Sequence, residues 1–247
     1  TGENASDDVK KVLTDKKVRQ ALNLAIDRDS IVKNVTKGGQ IPAYSYVPQG
    51  IPSVDGGDFA SKEYFKPSGD VKEAKALLAE AGYKDGEGFP TITLLYNQEG
   101  SHGDIMQAIA DMWKKNLGIN VSLSQQEWKV FQTTRTQKQY QIARHGWSGD
   151  YVDPMTFLEM WTSASALNDA GFSNAEYDSV ISDAISELDT KKREELLHKA
   201  EDILMDEMPI MPIYYYTKVK GIKPYVKGIK QSQIGFVYFD EAYIDGK

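Results

Sequence analysis

The sequence predicts an α/β lobe with a mixed sheet flanked by helices, and three consecutive stretches carry that prediction. Residues 91–96 alternate and are rich in β-formers, which marks a strand. Ile105, Ala108, Ile109 and Met112 then recur on one helical face between Ser101 and Gly118. Ile119, Val121 and Leu123 return to a period of two, as expected of a strand with one buried face. Strands separated by helices give an α/β architecture.

Composition bounds the rest. A chain of 247 residues with 40% apolar and 26% charged residues is long enough and apolar enough to bury a sizeable core. Its 29 basic and 36 acidic side chains leave a net charge of −7, so nothing recommends a nucleic-acid partner, whose phosphates require a basic face. No stretch approaches the roughly 20 apolar residues of a membrane span. The absence of cysteine removes disulfides, thiolate catalysis and cysteine-ligated metal together. Nothing in the sequence calls for a cofactor.

Taken in order, residues 1–16 are a polar lead-in whose apolar anchors are Val9, Val12 and Leu13, and residues 17–247 form one lobe. Val18, Ala21, Leu22 and Ala25 space out a first helix, and Asp29–Ser30 starts a second that Gly38–Gly39 ends. Prolines and glycines break residues 41–67 into a long structured loop anchored by Tyr44, Tyr46, Phe59, Tyr64 and Phe65. Asp70, with Glu73 three residues on, caps a helix that Gly82 stops, and Ser101 is the expected cap of the next. A short helix over 128–136 leads to a third strand over 139–143, and Pro154 opens another helix after a corner. Ser173 and Glu176 read as a capping box, and Leu196, Ala200, Ile203 and Leu204 mark a further helix. Residues 208–216, 219–222, 225–229 and 236–243 are strand candidates near the C-terminus.

The corner from Arg144 to Pro154 concentrates the chemistry. Gly146 and Gly149 let backbone approach a guest, Trp147 and Tyr151 offer flat walls, and Asp150 offers a fixed negative charge. A tight turn with a core Trp would use much the same composition. The three histidines, His102, His145 and His198, have no zinc-hydrolase spacing, and nucleophile elbows, phosphate loops and dinucleotide fingerprints are absent. Asp150 and Asp153 can be drawn as a hydrolase pair, but their spacing across a corner divides them more naturally into a ligand-facing group and a helix cap.

The same corner, with Gln126-Glu127-Trp128 and Phe131 before it and Phe157-Leu158 after it, resembles the second lobe of the oligopeptide-binding proteins, the family 5 extracytoplasmic receptors of peptide ABC importers. The likeness runs from Val18-Arg19-Gln20-Ala21-Leu22 and Ala25-Ile26-Asp27-Arg28 to Pro212-Ile213-Tyr214-Tyr215-Tyr216. The resemblance implies a periplasmic-binding-protein-like type II fold that binds and performs no chemistry. It implies the C-terminal lobe alone, with residues 1–16 leading in from an N-terminal lobe, and a monomer that hands peptides to a membrane permease. It implies an extracytoplasmic location, as a cell-surface lipoprotein of a Gram-positive bacterium rather than a free periplasmic protein.

Residue by residue, the resemblance places Asp150 on the peptide's terminal ammonium and the backbone of residues 144–148 along the peptide main chain. It places Trp128 on a side-chain pocket, Arg135 and Arg144 near the peptide, His102 toward its C-terminal part and Tyr216 against it. Trp147, Gly146, Ser148, His145 and Asn168 complete the expected peptide-binding set. Ser148-Gly149 is smaller and more polar than some relatives carry, which bears on the first pocket. Relatives of this architecture take dipeptides, signalling peptides, cell-wall peptides or nickel complexes, and Asp150 favours an amine-bearing ligand among these.

Overall fold

The computed structural model describes residues 5–232 and 234–246. The lead-in is ordered: α1 (Asp7–Thr14) is capped by the Ser6 hydroxyl and buries Val9, Val12 and Leu13, the three anchors of the polar segment. Asp15 caps α2 (Lys16–Leu24), which buries Val18, Ala21 and Leu22 completely. A single turn, α3 (Arg28–Ser30), runs into a π-helical stretch, Ile31–Thr36, that ends on left-handed Lys37. The long loop carries the short strand β1 (Ile41–Pro42) and leads to α4 (Val71–Glu80), where the Asp70 carboxylate accepts the Glu73 N–H at 3.1 Å.

The central sheet follows. β2 (Ile92–Asn97), α5 (His102–Leu117), β3 (Val121–Gln126), α6 (Trp128–Thr136) and β4 (Ile142–Ala143) form a parallel sheet in the order β3-β2-β4. Because β2 is the middle strand, the chain moves to one side through α5 and back across to the other through α6. Ile92, Leu94 and Tyr96 pack into one core with Ile105, Ile109 and Trp113 of α5 and Val18 and Leu22 of α2. The Trp113 indole N–H reaches the Leu22 carbonyl at 2.8 Å, so this buried ring has its polar atom satisfied.

After the corner, α7 (Met155–Leu158) and a 3₁₀ turn, Glu159–Trp161, lead to α8 (Ala175–Ser186) and α9 (Thr190–Glu207). Phe157, Leu158 and Trp161 join Tyr177, Ile181, Leu197 and Leu204 in a second core. Leu24 and Met211 pack against both cores. β5 (Tyr214–Tyr215) pairs antiparallel with β1, and β6 (Val226–Lys227), β7 (Lys230–Gln231), β8 (Val237–Tyr238) and β9 (Tyr243–Ile244) form two antiparallel ribbons, β6 with β9 and β7 with β8. The chain thus holds both kinds of pairing, parallel in the three-stranded sheet and antiparallel in the two-stranded ones.

Several local expectations shift. Ser101 has φ −87° and ψ 16°, not the extended geometry of a cap, and its hydroxyl caps nothing in α5. Asn174, in extended geometry, takes the role expected of Ser173 by accepting the Tyr177 N–H at 3.0 Å. The third strand shrinks to Ile142–Ala143, and residues 219–222 form no strand because they pair with no neighbour. Gly118 ends α5 at φ +74°, where a Cβ would lie 2.1 Å from the Asp85 carbonyl oxygen, so only glycine fits. Among the described residues, no helix is long and apolar enough to cross a membrane.

Candidate functional site

The three parallel strands deliver their C-terminal ends to one place, and the expected residues follow from those ends. His102 opens the helix after β2, Trp128 opens the helix after β3, and Arg144 follows β4 directly, its N–H continuing the ladder to the Leu95 carbonyl at 2.8 Å. The crevice beyond the carboxyl ends of strands, where strand order reverses about β2, is the place an open α/β sheet offers to ligands. A cavity of about 990 Å³ lies there, walled by the corner, the β5 region and the first turn of α5.

Of the expected residues, His102, Arg135, Arg144, His145, Gly146, Trp147, Ser148 and Tyr216 all line this cavity. Trp128 and Asn168 lie off its wall. Trp128 is 38% exposed and stacks on Phe131 at 5.9 Å between ring centroids, while Phe131 itself is fully buried. Asn168 is buried and works as a staple: its amide donates to the Thr162 and Phe172 carbonyls at 3.0 and 2.7 Å and accepts the Phe172 N–H at 3.0 Å. Both amide hydrogens are therefore used within the loop, and Asn168 holds that segment together.

The corner is built from the helix that follows it. The Trp147 indole donates to the Thr156 carbonyl at 2.9 Å, and the Asp150 N–H donates to the Thr156 hydroxyl at 3.0 Å. A Cβ on Gly149 would stand 3.0 Å from both Thr156 and Phe157, so the small residue lets the corner lie close on α7. Between these anchors, the backbone N–H groups of residues 145–149 have no partner among the described residues. Asp150 is exposed, its carboxylate meets no cation or donor, and its neighbours Gly149 and Tyr151 are on the cavity wall while its own side chain is not. Asp153 is different: its carboxylate accepts the Met155 N–H at 2.8 Å and both Nη atoms of Arg193 at 2.8 Å. Asp153 is thus committed to holding the fold, which Asp150 is not.

Charge on the wall is mostly compensated. Arg135 Nε lies 2.7 Å from Asp169 Oδ2, an ionic contact with the N–H off the line of an aligned hydrogen bond, and Arg19 Nη2 is 3.5 Å from Glu207 Oε2. His145 is held down to about 4, first by burial and then by Arg135 and Arg144, so it is neutral at neutral pH. Burial, followed by Arg144, likewise lowers His102. Among the described residues, the Arg144 guanidinium has only the Tyr216 hydroxyl, at 2.9 Å, as a hydrogen-bond partner. It is the wall's cation without a carboxylate at ion-pair distance nearest the corner.

A scan against family models matches residues 3–169 to the bacterial extracellular solute-binding proteins, family 5 middle region. The chain belongs to this family. It is 42% identical over 238 residues to the oligopeptide-binding protein OppA of Bacillus subtilis, covering 94% of this chain and 43% of that one. It is also 42% identical over 233 residues to the periplasmic oligopeptide-binding protein OppA of Salmonella typhimurium, covering 93% and 42%. Among solved structures, the pheromone receptor PrgZ superposes with a TM-score of 0.83 at 28% identity, covering 99% of this chain and 47% of that one. An oligopeptide ABC transporter substrate-binding domain from Bacillus anthracis superposes with a TM-score of 0.81 at 33% identity, covering 94% and 46%. The family 5 chain therefore has the type II solute-binding fold, and it spans less than half the length of these relatives.

Within the family 5 lobe, the structure also brings forward residues that the sequence did not single out as a site. Asp169 and Tyr140 line the cavity, with the Tyr140 hydroxyl donating to the Asp169 carbonyl at 2.6 Å. Trp161 stands edge-on to His145 at 5.8 Å and to Tyr46 at 5.8 Å, and all three are wall residues. In the sequence Tyr46 is visible only as an aromatic in the long loop, and Trp161 only continues the helix that Pro154 opens. Asp169 carried no signal beyond its place after Asn168.

Proposed function

We propose that this chain is the C-terminal ligand-binding lobe of an extracytoplasmic oligopeptide-binding protein that delivers peptides to an ABC import permease. On this reading residues 17–247 are the lobe, and the segment before them leads in from an N-terminal lobe that supplies the other half of the site. The observation that carries the proposal is the run of unpartnered backbone N–H groups over residues 145–149 on the cavity wall, beside the unpaired Asp150 carboxylate. Open backbone recognises what every peptide shares, its main chain, and a free carboxylate recognises a terminal ammonium. Relatives described as oligopeptide-, dipeptide- and murein-peptide-binding proteins support a peptide ligand.

An amide and indole NMR titration tests this with a short free-amine peptide and its N-acetylated twin. The free peptide shifts Gly146, Trp147, Ser148 and Asp150 with millimolar affinity, and the acetylated peptide binds several-fold more weakly. Asp150→Asn abolishes that difference while leaving stability within about 0.5 kcal/mol, since its carboxylate holds nothing in the fold. Equal shifts for both peptides count against the role of Asp150. Absence of any shift, on this chain and on a two-lobed protein, overturns the peptide reading.

A further inference from the structure

Arg135 and His145 of the wall meet around one carboxylate that neither the resemblance nor the relatives' descriptions bring to notice. Asp169 is 6% exposed, and its Oδ2 lies 2.7 Å from Arg135 Nε and 3.7 Å from His145 Nε2. Arg135 is itself largely buried, with its guanidinium 5.6 Å from the centroid of the Phe131 ring. Arg144 and the Trp161 ring adjoin His145. Among the described residues the carboxylate makes no hydrogen bond within its own loop. The neighbouring Asn168 amide staples the segment, and Asp169 contributes through its backbone, donating its N–H to the Leu167 carbonyl at 2.8 Å and accepting from Tyr140. The side chain is thus free to act by charge alone.

We propose that Asp169 sets the charge preference of the cavity: by neutralising Arg135 beside His145 and Trp161, it makes this wall accept uncharged ligand side chains and refuse acidic ones. The inference rests on the peptide reading given above and names the side-chain class that this part of the site takes. The physical argument is one of compensation. A guanidinium with little access to water needs a counter-charge, and with Asp169 in contact that need is met within the protein. A ligand carboxylate brought to the same wall would meet Asp169 at close range and displace nothing, because His145 carries no charge to pair with it. Remove the Asp169 charge and Arg135 becomes a desolvated cation facing the cavity, for which an incoming carboxylate is the nearest partner.

The test uses the full chain and its Asp169→Asn variant, which keeps shape and backbone contacts. Two pairs of free-amine tripeptides are titrated, with glutamate against glutamine at the second or third position, while the Arg135 Nε–Hε resonance is followed. The expected result is a Glu:Gln affinity ratio that rises about tenfold in Asp169→Asn for at least one pair, and falls back when Arg135→Gln is added. An unchanged ratio in both pairs overturns the proposal, since a merely structural role for Asp169 would weaken both members alike. Sodium acetate alone separates this from the peptide reading. Acetate should shift Arg135 Nε–Hε in Asp169→Asn and not in the wild-type chain, whether or not any tripeptide binds. No acetate response in the variant overturns the charge masking by itself.

Discussion

Asp153 and Arg193 meet fork to fork, with Nη1 to Oδ2 and Nη2 to Oδ1 both at 2.8 Å. The pair ties the end of the corner to the first turn of α9, forty residues on. Because both side chains are less than a third exposed, the bidentate contact outweighs an ordinary surface pair. Arg193→Ala should lower unfolding stability by about 1–2 kcal/mol in urea titration. Arg193→Lys should recover less than half of that loss, since one ammonium cannot match the planar fork.

Glu201 makes stability depend on pH from the opposite end of the second core. Its Oε1 accepts the N–H groups of Tyr46 and Val47 at 2.9 and 2.8 Å, while burial pushes its carboxyl up to about 7. In the unfolded chain the group loses its proton near 4.5. The folded chain therefore holds an extra proton between pH 4.5 and 7, and the cost of ionising it grows across that window and is full above it. Glu201→Gln keeps an acceptor for both N–H groups and removes the ionisation. Relative to wild type, the variant should gain on the order of 3 kcal/mol in going from pH 4.5 to pH 8, read from denaturant midpoints at each pH.

His145 acts with the reverse sign. Its folded value near 4 lies below the ordinary 6.5, so the unfolded chain takes up the proton first as pH falls. The stability it contributes is complete above about 6.5 and is lost toward pH 4, by about 3 kcal/mol at most. Imidazole NMR should show no titration of His145 between pH 8 and 5.5. His145→Gln should flatten the acid limb of the stability profile, and a His145 midpoint near 6.5 would contradict its burial beside Arg135 and Arg144.

Gly118→Ala should cost about 2 kcal/mol or more, well above the usual price of alanine at a left-handed helix end. The added Cβ collides with backbone, the Asp85 carbonyl, and backbone cannot swing aside as a side-chain tip would. Gly82→Ala, also at positive φ but with open space around it, should cost only about 1 kcal/mol. Thermal melts of the two variants side by side separate collision from strain.

The sequence by itself determined the elements whose cause is local. Apolar residues at helical spacing placed α2, α4, α5 and α9, Asp70 capped α4, Gly118 ended α5, and the alternation of β2 and β3 announced a sheet. It also named eight residues of the cavity wall, because loops after parallel strands converge wherever the strands pair, and His102, Arg135, Arg144 and His145 sit on or near such loops. Tertiary structure alone decided what each polar group has left to offer. Asp150 and Asp153 look alike three residues apart, yet Arg193 claims one and nothing claims the other. Arg135 and Arg144 both read as cations for a ligand, but Asp169 compensates only the first. Asn168 is expected at the binding site, and packing commits its amide hydrogens to its own loop. Spacing fixes which side chains share an element, whereas ionic partners arrive from segments far along the chain, and their arrival depends on packing that no local pattern encodes.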